Sequence, residues 1–254
     1  MSTFQIILIV VVLFAGMLAC LEVGLWLGRR APQGAGQAFS PLAGAVFALM
    51  GLLIAFTFSG AATRFEAKRD LIVSEANAIG TAYLRLDLLP AAAQEPMRER
   101  FRRYLDARLE FYGTLGDAEA AGGAMAKANA LQQEIWARAI AACAQNCQGP
   151  ITVFILSSFN DMIDVTTTRA VALQTHPPAI VLVLLGVLPL ICSLLAGYDA
   201  AGKGRSLIHM LGFALILAIT IYIILDYEYP RAGLFIHLDA TDKILVNLRQ
   251  QMNH

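Results

Sequence analysis

The sequence predicts an all-α membrane protein in which four transmembrane helices form two hairpins, with a helical extramembrane region between them. Three observations support this fold class. First, 57% of the 254 residues are hydrophobic and only 15% are charged, whereas about 25% of an ordinary soluble domain is charged. Second, four apolar runs each reach the roughly 20 residues that a bilayer-spanning helix needs. Third, the polar region between the second and third runs shows helical patterns and no useful strand alternation.

The first predicted hairpin covers residues 1–63, with spans at 4–28 and 39–63 and a short glycine-containing link between them. No basic residue precedes the first run, and the run is longer than the apolar core of a signal peptide, so we predict a retained span. Glu22 is ionisable and lies inside this span, which makes it a candidate functional residue. The alternative is that Glu22 simply reaches the interface near Arg29.

The second span is rich in small residues, which allow helix backbones to approach closely in lipid. Residues at steps of three or four along this helix form one stripe, made of Phe47, Gly51, Ile54, Phe58, Ala61, Ala62 and Phe65. The helical pattern continues past Arg64 without a Gly-Pro break. We therefore expect a helix packed against protein on most faces, either beside an axis or pore or within an ordinary helix bundle.

Ile54, Phe58 and Ala62 are the candidate pore neck. They are spaced four residues apart, so they would form stacked apolar rings if several copies of this helix surrounded an axis. Narrow apolar rings gate by dewetting, because ions cannot follow once water leaves the pore. The edge of a phenylalanine ring carries partial positive charge and can face an anion.

Arg64, Lys68 and Arg69 follow the neck on the same helix and are candidates for the pore mouth. The alternative is a positively charged collar at the lipid headgroups. Further along, Glu75 and Asn77 are candidates for a vestibule surface or a contact between subunits. The alternative for these two is a buried polar network that fixes the register of the helix.

The extramembrane region covers residues 64–177 and contains 12 Lys and Arg against 13 Asp and Glu. Its segments EPMRERFRRYLDARLEFY and LQQEIWARAIAACAQ predict helices, because Glu and Arg recur three and four residues apart. Pro90 and Pro96 predict a turn, and GDAEAAGGA predicts a loop. The whole chain has a net charge of 0, so nothing indicates a nucleic-acid partner.

The second predicted hairpin covers residues 178–225, with spans at 178–198 and 206–225, and a C-terminal segment follows at 226–254. Orientation in the membrane depends on the Lys and Arg residues near the spans. Five lie on the side of the chain termini and four on the side of the short loops. This count leaves the orientation open, and the denser charge of the short loops slightly favours placing them inside.

Nothing in the sequence indicates a metal site, a cofactor or an enzyme. The four Cys include no CxxC pair, and the four His are scattered. No motif of a membrane protease frames a Ser, His or Asp in a span, and no glycine-rich phosphate loop follows a strand. Cys143 and Cys147 lie four residues apart on a predicted helix, which permits a disulfide only in an oxidising compartment.

Three segments of the chain, in order, carry a resemblance to a known family. They are AFTFSGAATRFEAKRDLIVSEANAIGTAYLRLDLLP, FNDMIDVTTTRAVAL before the third span, and LDYEYPRAGLFIHL after the fourth. Together they resemble the bestrophin-like family of bacterial and plant membrane proteins, which is named for its similarity to the bestrophins, pentameric ligand-gated ion channels. The resemblance implies five subunits around one pore lined by the second helix. It also implies an apolar neck at positions i, i+4 and i+8, a spacing that Ile54, Phe58 and Ala62 match.

The resemblance also implies a location and a set of partners. It places the spans in a bacterial inner membrane. It also places the N-terminus, residues 64–177 and residues 226–254 in the cytoplasm, whereas the charge count slightly favoured placing the short loops there. In that compartment Cys143 and Cys147 are reduced. The implied partners are membrane lipid, inorganic ions and further copies of the chain.

The chain departs from the bestrophins at two places. Bestrophins that respond to calcium carry a run of acidic residues after the last span. Here the acidic residues are separated by others, and they are Asp226, Glu228, Asp239 and Asp242. We therefore do not predict gating by calcium. Bestrophins prefer a bulky residue where this chain has Ala62, which suggests a wider lower neck.

From the residues and the resemblance we expect an oligomeric bestrophin-like ion channel that conducts anions, with the second helix lining an apolar neck. The alternative is a non-conducting membrane scaffold or sensor whose helical region binds a partner. The stripe on the second helix distinguishes them, because in a channel it faces a symmetry axis and water, whereas in a scaffold it is packed shut. The permeant ion, the gating stimulus and the subunit number stay open.

Overall fold

Eight α-helices and one short 3-10 helix make up the part of the chain that the structure describes. The structure is a computed structural model, and it describes residues 2–31, 35–146, 149–201, 207–236 and 238–253. The α-helices are α1 Thr3–Arg30, α2 Ala35–Leu84, α3 Ala91–Gly113, α4 Ala118–Asn146, α5 Gly149–Gln174, α6 Ala179–Ala200, α7 Leu207–Glu228 and α8 Asp239–Gln251. The 3-10 helix is Arg85–Leu88. These described segments contain no strand, which confirms the all-α prediction.

Four of the described segments are long and apolar enough to cross a membrane. They include all of α1 and most of α2 and α7, and α6 forms the last part of the remaining one. The prediction that the second span continues past Arg64 is confirmed, since α2 ends only at Leu84. The chain divides into two compact units, of which unit 1 comprises Met1–Phe65 and His176–His237. Unit 2 comprises Glu66–Thr175 and Leu238–His254.

Side-chain caps explain where two helices begin. The hydroxyl of Ser2 accepts a hydrogen bond from the backbone of Gln5, and the Gln5 side chain accepts one from the backbone of Ser2. This reciprocal pair satisfies two amide groups that the first turn of α1 leaves without helical partners. At the start of α4, the Asp117 carboxylate accepts from the backbone amides of Glu119 and Ala120 in the same way.

The cap at Asp117 overturns the loop predicted over GDAEAAGGA. Only the first two residues of that segment lie outside α4, because Asp117 starts the helix and the alanines that follow favour helical backbone. The predicted turn between Pro90 and Pro96 is also wrong, since α3 begins at Ala91 and contains Pro96. Pro90 caps α3, and the carbonyl oxygen of Pro96 accepts a hydrogen bond from Arg100 at 2.6 Å.

Within unit 1, α1 and α6 cross at a pair of glycines that bring their backbones together. A Cβ atom on Gly24 would lie 2.1 Å from the carbonyl oxygen of Leu194, and one on Gly197 would lie 2.1 Å from that of Leu21. Both distances are far below van der Waals contact, so only glycine fits on either side. Close backbone approach through small residues is a common way for helices to associate in lipid, where apolar burial provides little drive.

We expect Gly197→Ala to lower the free energy of unfolding of unit 1 by about 1–2 kcal/mol, because the added methyl group pushes α1 away from α6. The matched control is Gly186→Ala in the same helix, where a Cβ atom meets nothing within 4 Å. Thermal unfolding of both variants in detergent measures the difference. Equal melting temperatures for the two variants would contradict the close crossing.

Unit 2 is built around an aromatic core and closed by α8. The ring of Phe101 lies 6.1 Å from that of Tyr83 and 5.3 Å from that of Phe159, between centroids. Arg249 of α8 donates two hydrogen bonds to the carboxylate of Asp106, at 2.7 and 3.1 Å. The C-terminal helix is thereby packed into unit 2.

Candidate functional site

The candidate pore neck lies on the part of α2 that belongs to unit 1, and its three residues have different surroundings. Ile54 is half-buried and packs against the hydrophobic core of the unit, and Ala62 is half-buried. Phe58 remains 41% exposed although its ring meets Tyr227 of α7 edge-on, with 5.5 Å between centroids. Of the three, Phe58 presents the largest open apolar surface.

Two further aromatic residues of the predicted stripe, Phe47 and Phe65, also contact α7. The ring of Phe47 meets Phe213 edge-on at 6.2 Å between centroids, and Phe65 meets Tyr227 at 5.5 Å. Among the α2 aromatic residues whose side chains the structure describes, the most exposed is instead Phe56, at 68%. It lies two residues before Phe58, which is about 200° around an α-helix. Sequence reasoning missed this second open face, because the spacing of the aromatic residues favoured the stripe that packs on α7.

The three cationic residues predicted for the pore mouth have different environments. Arg64 donates two hydrogen bonds to one carboxylate oxygen of Glu228, from Nε at 2.9 Å and from Nη2 at 2.8 Å. Lys68 is buried, within unit 2. Arg69 is exposed and pairs with Glu66 one turn earlier, at 3.0 Å. The structure therefore does not place all three as exposed positive charges.

The carboxylate of Glu228 joins three segments of unit 1, and we call Arg64, His176 and Glu228 the Glu228 cluster. The second carboxylate oxygen lies 3.0 Å from Nδ1 of His176, which belongs to the segment between α5 and α6. The His176 ring stacks on Tyr229 with centroids 4.8 Å apart. The Glu228 side chain is only 1% exposed. A buried carboxylate needs such partners, and here they fix α2 to the end of α7.

The turn after α7 is organised by Asp226, a neighbour of the Glu228 cluster in sequence. Its carboxylate accepts hydrogen bonds from the backbone amides of Leu234, Phe235 and Ile236, at 2.8, 3.2 and 2.9 Å. A Cβ atom on Gly233 would lie 1.9 Å from Oδ1 of Asp226, so only glycine permits this approach. In the segment DYEYPRAG, Asp226 therefore holds the chain as it leaves the helix.

Unit 2 contains a second buried polar cluster, the Glu75 network, made of Glu75, Arg108, Tyr112, Arg169 and Asp242. Nε of Arg108 donates to one Glu75 oxygen at 2.7 Å, and the Tyr112 hydroxyl donates to the other at 2.9 Å. Arg169 donates to Glu75 through Nη1 and to Asp242 of α8 through Nη2, the latter at 2.9 Å. Two arginines and two carboxylates balance their charges inside the unit.

Burial also changes the acidity of the tyrosines near this network. Burial, followed by the negative charge of Glu75, raises the pKa of Tyr112 well above its usual value. Burial raises the pKa of Tyr104 to about 12. Both phenols therefore stay neutral at physiological pH and remain available as hydrogen-bond donors.

Within one chain, Glu75 and Asn77, the two candidates for a vestibule surface or a subunit contact, have different surroundings. Glu75 is 0% exposed and its described partners lie in unit 2, where it forms the buried polar network. Asn77 is exposed and lines a cleft between α2 and α8 together with Tyr83 and Gln251. Neighbouring polar residues on α2 thus have opposite environments.

The remaining candidates lie apart from these clusters. Glu22 is exposed on α1. Cys143 is buried in α4, whereas Cys147 lies outside the described residues, so the structure does not address their pairing. In the described ranges, no three His, Cys, Asp or Glu side chains are grouped closely enough to hold a metal ion.

The four apolar helices and the helical unit 2 define a multi-pass α-helical membrane protein. Residues 8–235 match the sequence model of the Bestrophin-like domain, so the chain belongs to the bestrophin-like family. The fold is similar to the crystal structure of a mutant bacterial bestrophin homolog from Klebsiella pneumoniae, with a TM-score of 0.66 and 13% sequence identity. That match covers 98% of this chain and 100% of the other, and at this identity it shows the fold alone. No curated protein sequence matches the chain.

Proposed function

We propose that the protein is an oligomeric bestrophin-like ion channel in which α2 lines the pore. One observation supports this assignment above the others. In the most apolar 18-residue stretch of α2, only 11% of the residues are buried within the chain. The corresponding shares in the other three candidate membrane segments are 22%, 28% and 39%. A helix that leaves so much surface open within one chain is suited to face further copies of the chain and a central pore.

The composition of the open surface of α2 fits contact with protein better than contact with lipid alone. Gly44 and Gly51 each have open space where a Cβ atom would be, with nothing within 4 Å. Small residues at such positions allow a neighbouring helix to approach closely. The family to which the chain belongs supports a homo-oligomer, and the pentamer of the bestrophins is the assembly that we propose.

In the proposed channel, Ile54, Phe58 and Ala62 form the apolar neck. Phe58 has the open ring, and Tyr227 supports the ring from the α7 side. Such a neck closes by dewetting and opens when small movements of the rings widen it. The edges of the phenyl rings carry partial positive charge, which favours anions over cations.

We assign the Glu228 cluster the role of holding the pore helix in place. Arg64 follows the neck residues on α2, and its two hydrogen bonds to Glu228 fix the lower end of the neck to α7. Arg64 is therefore a positioning residue in this proposal, not an exposed charge that attracts ions. Arg69 and Lys68 lie further along α2.

The proposal includes a location. Residues 64–177 and 226–254 lie in the cytoplasm, and the four apolar helices cross a bacterial inner membrane in contact with its lipid. The family resemblance supports this orientation, and the ion-paired surface of α3 is consistent with an aqueous compartment. The membership in the bestrophin-like family supports a channel over an enzyme in this proposal.

Ion flux into liposomes that contain the purified protein tests the proposal. The informative variant is Phe58→Ala, and the matched control is Phe56→Ala, the same substitution on roughly the opposite face of the same helix. We expect wild-type protein to conduct anions and Phe58→Ala to change the flux several-fold, because it removes a ring from the neck. Phe56→Ala should conduct like wild type.

The other outcomes are equally informative. A change in flux with Phe56→Ala alone would place the pore axis on the other face of α2. The protein would still be a channel, but Ile54, Phe58 and Ala62 would not form its neck. If no tested anion or cation crosses with wild type or either variant, the channel assignment fails. The non-conducting scaffold or sensor then becomes the better description.

A further inference from the structure

Unit 2 contains a cleft of about 420 Å³ between α4 and α5 that plays no part in the proposed pore neck. Its lining residues are Asn129, Gln132, Gln133, Trp136, Asn160 and Ile163. Four of the six carry carboxamide groups, one is an indole, one is aliphatic, and none is charged. Sites for small molecules commonly enclose about 300–1,000 Å³, so the cleft has room for a ligand of one or two rings.

Gln132 forms a fixed polar group in the wall of the cleft. The residue is 9% exposed, and its amide nitrogen donates to the Tyr104 hydroxyl at 3.3 Å. The same hydroxyl lies 2.9 Å from the hydroxyl of Thr166. The other polar atom of the Gln132 amide makes no hydrogen bond to the described part of the chain and is not sealed from solvent. This atom is already held in position and could form a hydrogen bond with a ligand in the cleft.

Trp136 and Asn160 supply the other contacts that a ligand would meet. Trp136 is half-buried, so part of its flat apolar ring faces the cleft. Asn160 donates from its amide nitrogen to the carboxylate of Asp164 at 2.9 Å, which orients the amide. The six residues that line the cleft carry no charge.

We propose that this cleft binds an uncharged saccharide. A charged ligand would lose its hydration there without gaining a counter-charge, which is costly. Carboxamides both donate and accept hydrogen bonds, as sugar hydroxyl groups do, so the two chemistries match. The apolar C–H face of a pyranose ring packs against an indole, which combines apolar contact area with a polar N–H. The proposal is independent of ion conduction.

Tryptophan fluorescence of the full-length protein measures the binding. The chain has two tryptophans, so a Trp26→Phe background leaves Trp136 as the only reporter. The detergent should have an amine-oxide headgroup, since a maltoside would itself compete for the cleft. At about pH 6, where the amine of glucosamine is protonated, we expect glucose or N-acetylglucosamine to change the fluorescence saturably, with a dissociation constant of about 1 mM. Glucuronate and protonated glucosamine, which are charged, should have no effect.

Variants separate the cleft from non-specific effects. Gln132→Ala, and the exposed substitutions Gln133→Ala and Asn160→Ala, should each weaken binding by about tenfold or more. Gln133 and Asn160 are exposed and not part of the core, so their variants test the cleft even if Gln132→Ala has a folding defect. The matched control is Gln251→Ala, which removes a carboxamide from the cleft between α2 and α8 and should bind like wild type.

Three results would overturn the proposal. The first is no saturable change with either neutral sugar up to about 100 mM, a concentration about 100-fold above the expected dissociation constant. The second is equal binding by wild type and by both exposed cleft variants. The third is binding of glucuronate or glucosamine as tight as that of the neutral sugars, which would refute the uncharged class of ligand.

Discussion

Replacing Glu75 with glutamine is expected to lower the free energy of unfolding of unit 2 by about 3–5 kcal/mol. The substitution keeps the size of the side chain, removes its charge and replaces one acceptor oxygen with a donor nitrogen. Arg169 retains Asp242 as a partner, but Arg108 loses the carboxylate that its Nε contacts at 2.7 Å. The Arg108 side chain is wholly buried. A buried cation without a counter-ion is the main source of the expected loss.

Denaturant unfolding followed by Trp136 fluorescence in a Trp26→Phe background reports on unit 2. The matched control is Glu110→Gln, which removes a carboxylate from an exposed pair with Lys127 at 2.9 Å. Exposed pairs contribute about 0–1 kcal/mol, so the control should unfold close to wild type. A Glu75→Gln variant as stable as the control would show that water reaches Arg108 and that the network is not closed.

A double variant sharpens the test of the Glu75 network. Replacing Arg108 with methionine together with Glu75→Gln removes both the buried cation and its former partner. Replacing a buried ion pair by apolar residues of similar volume is often neutral, so the double variant should be more stable than Glu75→Gln alone. Additive losses for the two substitutions would mean that the charges do not interact, contrary to the 2.7 Å contact between Arg108 and Glu75 in the structure.

Much of the fold follows from local properties of the sequence. The span predicted at 178–198 corresponds to α6, Ala179–Ala200, and the one at 206–225 to α7, Leu207–Glu228. The length of an apolar run depends only on consecutive residues, and a membrane requires about 20 of them. Likewise, the absence of a Gly-Pro break after Arg64 was sufficient to predict that α2 continues into the polar region.

The loop predicted over GDAEAAGGA shows where local rules fail. Two adjacent glycines indicate a loop when they are considered alone. In the structure α4 contains both of them, because Asp117 caps the helix and a long alanine-rich segment follows. The sum of favourable residues over the whole helix outweighs the cost of about 1 kcal/mol for each glycine.

The polar clusters could not be predicted from spacing along the chain. Glu75 and Arg169 are 94 residues apart, and Arg64 and Glu228 are 164 apart. Such pairs form only when separate helices pack together, so no periodicity within one helix reveals them. A weaker signal was present at Glu228, since an acidic residue at the end of an apolar run needs a partner if it is buried.

The open face of α2 illustrates a further limit. Helical periodicity placed Phe58 and Phe65 on one stripe correctly, because positions three or four residues apart share a face. It did not specify what that face meets, and both rings contact Tyr227 of α7. Phe56 is more exposed than either. For this reason the pore-neck prediction is best tested with Phe58 and Phe56 side by side.

Replacing Arg64 with glutamine is expected to lower the free energy of unfolding of unit 1 by about 2–3 kcal/mol. The value lies below that of a fully buried pair, because the Arg64 side chain is 26% exposed and water screens part of the interaction. Glu228 is 1% exposed and would lose both hydrogen bonds that Arg64 donates to it. Unfolding followed by Trp26 fluorescence in a Trp136→Phe background measures the loss in unit 1.

The control for Arg64→Gln is Arg69→Gln, which breaks an exposed pair with Glu66 one turn apart and should cost about 0–1 kcal/mol. The double variant Arg64→Gln with Glu228→Gln decides the mechanism. If the loss arises from a buried carboxylate without its arginine, removing that charge should restore part of the stability. If the double variant is less stable than Arg64→Gln, the carboxylate is not the source of the loss, and the cluster does not act as we describe.

The same variants connect the Glu228 cluster to conduction. Arg64 lies six residues after Phe58 on α2, and the cluster fixes this end of the helix to α7. A helix released from that contact samples more positions, so we expect Arg64→Gln to change liposome flux in the same assay that responds to Phe58→Ala. Arg69→Gln should not, because its partner lies on α2 itself. A flux that responds to Arg69→Gln but not to Arg64→Gln would instead assign the exposed cation to the ion path and leave Glu228 with a purely structural role.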